Sequence, residues 1–235
     1  MVVTIVLLHN DSIYHAPIGM GEEVSIGSHK KDQIFVDGFS AGQIVVKWKK
    51  TGFSVNAKRA YNFDRDAVPL DTIVILDKPT KTVIYLSSLT TPAGEALKLP
   101  YTCILKCGRS EENDIAIRLP FVSGVHFILK NEAGNVRVED QGSTNGLFLN
   151  GKRIHIAKMR SGDELSILSV KIRLYNGALY FENVGSKLHI GELADGVNDI
   201  SHSGDNGVKL LYRRSPRTQD QLPHEDILLA SAPTK

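Results

Sequence analysis

Short runs of β-branched, aliphatic and aromatic residues, each cut off by Gly, Asn, Asp or Pro, constrain this chain more than any other feature. Residues 2–8, 44–48, 72–76, 82–86, 101–105, 126–129 and 171–175 are of strand length and rich in Val, Ile and Tyr. Many short strands separated by turn signals point to a β-sandwich or barrel. No window carries a helical apolar stripe with caps at both ends. The expected fold class is all-β. A chain of 235 residues has room for one large domain or two of about 100 residues each.

An internal repeat favours two. Ile26-Gly27-Ser28, Asp32-Gln33-Ile34 and Ser40-Ala41-Gly42-Gln43 parallel Cys107-Gly108-Arg109, Asn113-Asp114-Ile115 and Ser123-Gly124-Val125-His126. From Gly to Ile is seven positions in both copies. Further on, the run from Asp71 to Leu76 answers the run from Asp163 to Leu168. Between Ser and Asp the first copy spans 31 positions and the second 40. The first copy is short where the second carries Gly142-Ser143-Thr144-Asn145-Gly146. The expected division is a degenerate copy over 1–92, a second copy with a C-terminal extension over 93–211, and a basic, Pro-containing tail over 212–235. Residues 87–94, SSLTTPAG, have a linker's composition, and 208–212 reads as a last packed strand before the tail.

Composition mainly excludes. With 28 Lys plus Arg against 26 Asp plus Glu, the net charge is +2. Nucleic-acid binding, which usually shows as a strong basic excess, is not expected. The two cysteines, Cys103 and Cys107, would share one face of a strand about 13 Å apart at about 3.3 Å per residue. They are too far apart for a disulfide, so free thiols are expected. The apolar start lacks the basic residues of a signal peptide, and no apolar run approaches the ~20 residues of a membrane-spanning helix. The eight His are scattered without ligand spacing, so neither a metal nor any other cofactor is expected.

Three motif matches fail on context. Gly38-Phe39-Ser40-Ala41-Gly42 fits the nucleophile elbow, G-x-S-x-G, and leaves a serine hydrolase acting through Ser40 as a remote alternative. That motif needs a helix after the serine, and a strand is expected here. Gly146 to Lys152 nearly matches a phosphate-binding loop, but Arg153 stands where the Ser or Thr should be and no helix follows. Asn145-Gly146 and Asn150-Gly151 read more simply as turns around a strand. Ser123, His126 and Asp140 do not make a triad, because residues three apart on an extended chain face opposite ways.

Residues 106–168 resemble the forkhead-associated (FHA) domain. The elements that match are Gly108-Arg109-Ser110, Asn113-Asp114-Ile115, Val122-Ser123 with His126, Asp140 then Gly142-Ser143-Thr144-Asn145-Gly146, Asn150-Gly151 and Gly162-Asp163. The resemblance covers about 95–177 directly and 1–92 weakly. It implies two tandem β-sandwiches, the second binding phosphothreonine through loops at one end, and a binding role without enzymatic activity. A phosphothreonine presents about −1.5 to −2 charge and three acceptor oxygens. Arg109 offers a cationic fork, Ser123 and Thr144 offer hydroxyls, and Asn145 offers an amide for the ligand backbone. Gly108, Gly142 and Gly146 serve as turn residues, and His126 as a brace for the loops. Lys106 and Arg118 are read as plain surface charges. Gly124 departs from the family, which often places Arg, Lys or Asn there.

The first copy departs further. Ser28 replaces the Arg, Gln43 replaces the His, and no Asn-Gly loop is found. Ser40 alone supplies no charge to hold a phosphate, so residues 1–92 are expected to pack or dock without binding phosphopeptide. Tandem FHA domains followed by Tyr212-Arg213-Arg214-Ser215-Pro216-Arg217 resemble the amino-terminal cytosolic region of the FtsK/SpoIIIE-type membrane ATPase of type VII secretion. That resemblance implies a truncated chain at the cytoplasmic face of the membrane. Its partner would be a phosphothreonine-containing protein or another component of the secretion machine, such as the pseudokinase-like membrane subunit. A stand-alone adaptor in bacterial Ser/Thr kinase signalling, or docking without phosphate, remains open.

Overall fold

The computed structural model describes residues 2–88, 95–191 and 209–211. Nearly all regular structure is β, as expected, in sheets of eleven, six and five strands. Most expected runs form strands that extend a residue or more beyond them, such as Val2–His9, Ile44–Lys49, Phe127–Glu132 and Val170–Tyr175. One four-residue helix, Lys58–Tyr61, escaped the sequence reading. It is too short to show a periodic stripe. Most of the 87–94 segment and all of the 212–235 tail lie outside the described residues, while Lys209–Leu211 forms a strand parallel to Glu95–Lys98.

Two sandwiches are built. The first faces Val2–His9, Ser12–Gly19, Ile73–Asp77 and Thr82–Ser87 against Glu23–Gly27, Ile34–Phe35, Ile44–Lys49, Gly52–Ala57 and Phe63–Val68. Alternation along Ile44–Lys49 sends Ile44, Val46 and Trp48 inward, where Trp48 stacks on Phe53 at 5.4 Å. The second sandwich faces a layer containing Leu147–Leu149, Lys152–Ile154, Glu164–Ile167, Val170–Tyr175 and Ala178–Glu182 against Thr102–Gly108, Ile115–Ile117, Phe127–Glu132, Asn135–Asp140, Ile156–Met159 and Leu188–Ile190. Cys103 and Cys107 face this core as free, buried thiols. Burial pushes Cys103 up to about 11 and Cys107 well above its ordinary value, so both are poor nucleophiles.

The repeat is visible in register. Ile26 pairs with Ile34 and Gly27 with Phe35, in parallel. Cys107 pairs with Ile115 and Gly108 with Ala116, also in parallel. The equivalent side chains do equivalent work. Gln33 Oε1 accepts the Ser25 amide at 2.8 Å, and Asp114 Oδ2 accepts the Lys106 amide at 2.8 Å.

The sequence reading did not anticipate how the copies join. Their sheets fuse edge to edge where Ser12 meets Lys152, completing the eleven-stranded sheet. The Ile13 amide donates to Gly151 O at 3.0 Å and the Arg153 amide to Asp11 O at 2.8 Å. Val6, Leu8, Ile13 and Tyr85 of the first sandwich belong to the hydrophobic cluster of the second. His15 Nε2–H donates to Leu168 O at 2.7 Å across the join. Leu168 has φ 48 in a tight turn, a left-handed conformation that costs a leucine about 1 kcal/mol or more, and the His15 bond helps to hold it there.

Removing that donor strands a buried carbonyl. His15→Ala is expected to lower stability by about 1–3 kcal/mol, read from urea unfolding at neutral pH. Unchanged stability would show that the join does not rely on this bond.

Candidate functional site

Three loops of the second sandwich meet at one end: Gly108 to Asp114, Leu119 to His126, and Asp140 to Gly146. Backbone bonds lock the first two together. The Arg109 amide donates to Ser123 O at 2.8 Å and the Ser110 amide to Gly124 O at 3.1 Å. The approach is so close that a Cβ on Gly108 would lie 2.3 Å from Gly124 O. Asn113 is 3% exposed, and its Nδ2 donates to Ser110 O at 2.9 Å and Gly124 O at 2.6 Å. The third loop is tied to the second by the Thr144 amide, which donates to Ser123 Oγ at 3.1 Å. Ser123 thereby accepts within the fold while its own hydroxyl hydrogen has no acceptor among the described residues.

Arg109 is exposed, and its Nη1 reaches Pro120 O only at 3.4 Å. Most of its guanidinium donors therefore face solvent. Thr144 is exposed as well. Asn145 is half-buried, and its Nδ2 donates to Phe121 O at 2.7 Å. One of its donors is thus spent inside the protein, leaving Oδ1 and the second amide hydrogen. Gly142 (φ 70) lies exposed at the loop tip. Gly146 has φ 81, and a Cβ there would sit 2.3 Å from Arg153 Nη2. The structure brings Arg109, Ser123, Thr144 and Asn145 onto one rim. Arg118 lies off it, paired with Glu111 at 3.3 Å.

His126 is fully buried beneath the rim. Its Nδ1 accepts the Ser123 amide at 3.1 Å, which requires Nε2–H, and that hydrogen points to Gly146 O at 3.2 Å. One neutral ring spans two loops. Burial holds its pKa below 6.5; Arg153 adds to this, while the Gly146 bond and Asp140 oppose it. Asp140 Oδ1 accepts the Ser143 amide at 3.3 Å, turning the loop back on itself.

The first copy preserves the brace with other atoms. Gln43 Oε1 accepts the Ser40 amide at 2.8 Å, and Gln43 Nε2 donates to Tyr61 Oη at 3.1 Å. Tyr61, at the end of the short helix, takes the place of the Asn-Gly loop carbonyl. Ser40 leads into the strand Ile44–Lys49, so the elbow geometry a serine nucleophile needs is absent there. Among the described residues no cluster of His, Cys, Asp or Glu could hold a metal, and no helix is long and apolar enough to cross a membrane.

Arg153 is the residue the sequence reading undervalued. It stands where a phosphate-binding loop would need Ser or Thr, yet its guanidinium lies over Phe148 at 5.4 Å and donates to Asn145 O at 3.2 Å. The signal was present. Asn150-Gly151 forms a two-residue hairpin turn with φ 50 and 82, which pairs Phe148 with Arg153.

Residues 105–168 match the FHA domain model. FHA domains recognise phosphorylated protein segments. The ABC transporter ATP-binding/permease protein Rv1747 of Mycobacterium tuberculosis (strain ATCC 25618 / H37Rv) is 32% identical over 75 residues, which is 32% of this chain and 9% of that protein. The NMR-based structure of its FHA-2 domain is 30% identical, with TM-score 0.31, over 36% of this chain and 76% of that one. The structure of the N-terminal FHA domain from EssC, a component of the bacterial type VII secretion apparatus, aligns over 81% of this chain and 96% of that chain with TM-score 0.63. At 15% identity this likeness is one of fold.

The brace predicts a pH dependence. Above pH 6.5, His126 is neutral in both the folded and unfolded chain, and its contribution is complete. As pH falls below 6.5, the unfolded chain takes up a proton that the folded one resists, so stability declines toward the folded-state pKa. His9 and His15, also held below 6.5 chiefly by burial, act in the same direction. Urea unfolding at pH 7.5 and 5.5 should show the loss. His126→Gln, which copies the Gln43 brace, should reduce it, whereas His126→Leu should cost about 1–3 kcal/mol at both pH values. A wild type equally stable at both would refute the neutral brace.

Proposed function

We propose that the second domain binds a phosphothreonine-bearing segment of a partner protein on the Arg109, Ser123, Thr144 and Asn145 rim. The observation that carries this reading is the Ser123 link. Its carbonyl and hydroxyl hold the backbones of Arg109 and Thr144, so a free cationic fork and two hydroxyls stand together on three tied loops. Preorganised donors of this kind suit a phosphate dianion. Arg109 provides the charge, Ser123 and Thr144 donate to phosphate oxygens, and the remaining amide groups of Asn145 meet the ligand backbone.

The proposed division is a degenerate FHA-like domain over 1–92, an FHA domain with its extension over 93–211, and a tail from 212. The first domain lacks a cation at Ser28 and serves in packing and docking. The whole chain acts by binding and performs no catalysis. The fold shared with the EssC domain and the basic residues after Tyr212 support a place on the cytoplasmic face of the membrane, in a type VII secretion ATPase. There the rim would dock another component, such as the pseudokinase-like subunit. A second reading, docking without phosphate, draws on Gly124, which offers no side chain, and on Val125, 41% exposed beside it.

Titration of a phosphothreonine peptide library and its unphosphorylated twins by calorimetry separates the two. Binding of phosphorylated members only, weakened at least tenfold by Arg109→Ala, about 1.4 kcal/mol or more, is the expected result. Equal binding by both sets would reject the phosphate reading and favour the second.

A further inference from the structure

We propose that the first sandwich is a positioning element for the ligand loop of the second, and that it acts through Asn145. Two chains of contact reach this residue. On one side, Asn145 O accepts from Arg153 Nη2 at 3.2 Å. Arg153 is anchored to the first sandwich, since its amide donates to Asp11 O at 2.8 Å and its Nε lies 3.8 Å from Asp11 Oδ1. That last contact is an ion pair beyond hydrogen-bond reach, and Nε has no hydrogen-bond partner among the described residues. The Arg153 side chain is only 15% exposed, so its position is set by Phe148 below and Asp11 beside it.

On the other side, Asn145 Nδ2 donates to Phe121 O at 2.7 Å. The Phe121 ring packs on Tyr85 of the first sandwich with centroids 5.0 Å apart. Tyr85 is buried, and its hydroxyl donates to Asp71 Oδ1 at 3.2 Å. Asn145 is therefore gripped by backbone and by side chain, and each grip is seated on the degenerate copy. Binding groups need placement within about 0.5 Å, so loosening either seat degrades the rim without touching Arg109 or Ser123. Coupling of this kind is reciprocal, and a ligand on the rim should in turn stiffen the join.

The functional half of this inference rests on the phosphopeptide reading; the structural half does not. The test uses the whole 235-residue chain and two readouts. Amide hydrogen exchange across residues 143–147 reports loop position, and calorimetry with a phosphothreonine peptide reports the rim. Arg153→Met keeps the apolar stem over Phe148 and the backbone bond to Asp11 O but removes the two guanidinium links, to Asn145 O and to the Asp11 carboxylate, and Tyr85→Leu removes the ring contact. Each variant should speed loop exchange and weaken the peptide about tenfold, while Lys47→Ala, far from the join, should do neither. Arg153→Lys should not rescue, because an ammonium lacks the fork. Wild-type chain with peptide should show slower exchange over residues 9–13. If Tyr85→Leu does not fold, Arg153→Met carries the test. Unchanged loop exchange in Arg153→Met overturns the proposal whatever the peptide does, and faster exchange with unchanged affinity overturns its functional half. If the wild type binds no phosphopeptide, the phosphate reading fails, and loop exchange alone decides whether the first sandwich positions Asn145.

Discussion

Everything at the rim depends on a neutral imidazole. His126 accepts from the Ser123 amide and donates to Gly146 O, so two loops that carry hydroxyls are spaced by one rigid ring. A charged ring would present two donors and turn one of them against an amide hydrogen. Burial makes the neutral form the stable one. The exposed residues can then be polar, because the ring that sets their backbone positions is buried with both nitrogens bonded.

The two copies show what this brace requires and what it does not. Gln43 supplies the same acceptor to Ser40 as His126 supplies to Ser123, and an amide donor to Tyr61 in place of Gly146. The architecture therefore asks for one acceptor and one donor on a short side chain, and two chemistries meet it. The cationic fork has no substitute at Ser28. The first copy thus keeps the brace between its loops without an Arg at the position that Arg109 holds in the second.

Much of this was legible in order along the chain. Alternation and turn residues revealed the strands, because each side chain's face follows from its place in the pleat. Fixed spacing from Gly27 to Ile34 and from Gly108 to Ile115 revealed the repeat, and with it the paired registers. The candidate rim residues came from the resemblance to the FHA domain, position by position along its loop motifs. The join was not. It rests on Ser12 meeting Lys152, 140 positions apart, and on apolar residues such as Val6 and Tyr85 that look like ordinary strand interior. For Arg153, the turn at Asn150-Gly151 foretold the pairing with Phe148, but the contact with Asp11 exists only because the two copies meet. The helix Lys58–Tyr61 was too short to leave a period.

The fused sheet also bears on how such a chain can be divided. Ser12–Gly19 and Lys152–Ile154 would each be an open sheet border in an isolated half, with unpaired amides and carbonyls ready to template another strand. Val6, Leu8 and Ile13 would lose part of their cover at the same time. A half expressed alone is thus a candidate for self-association rather than a smaller working unit. Removing the degenerate copy would therefore expose a sheet border and part of the core of the second sandwich as well as its own.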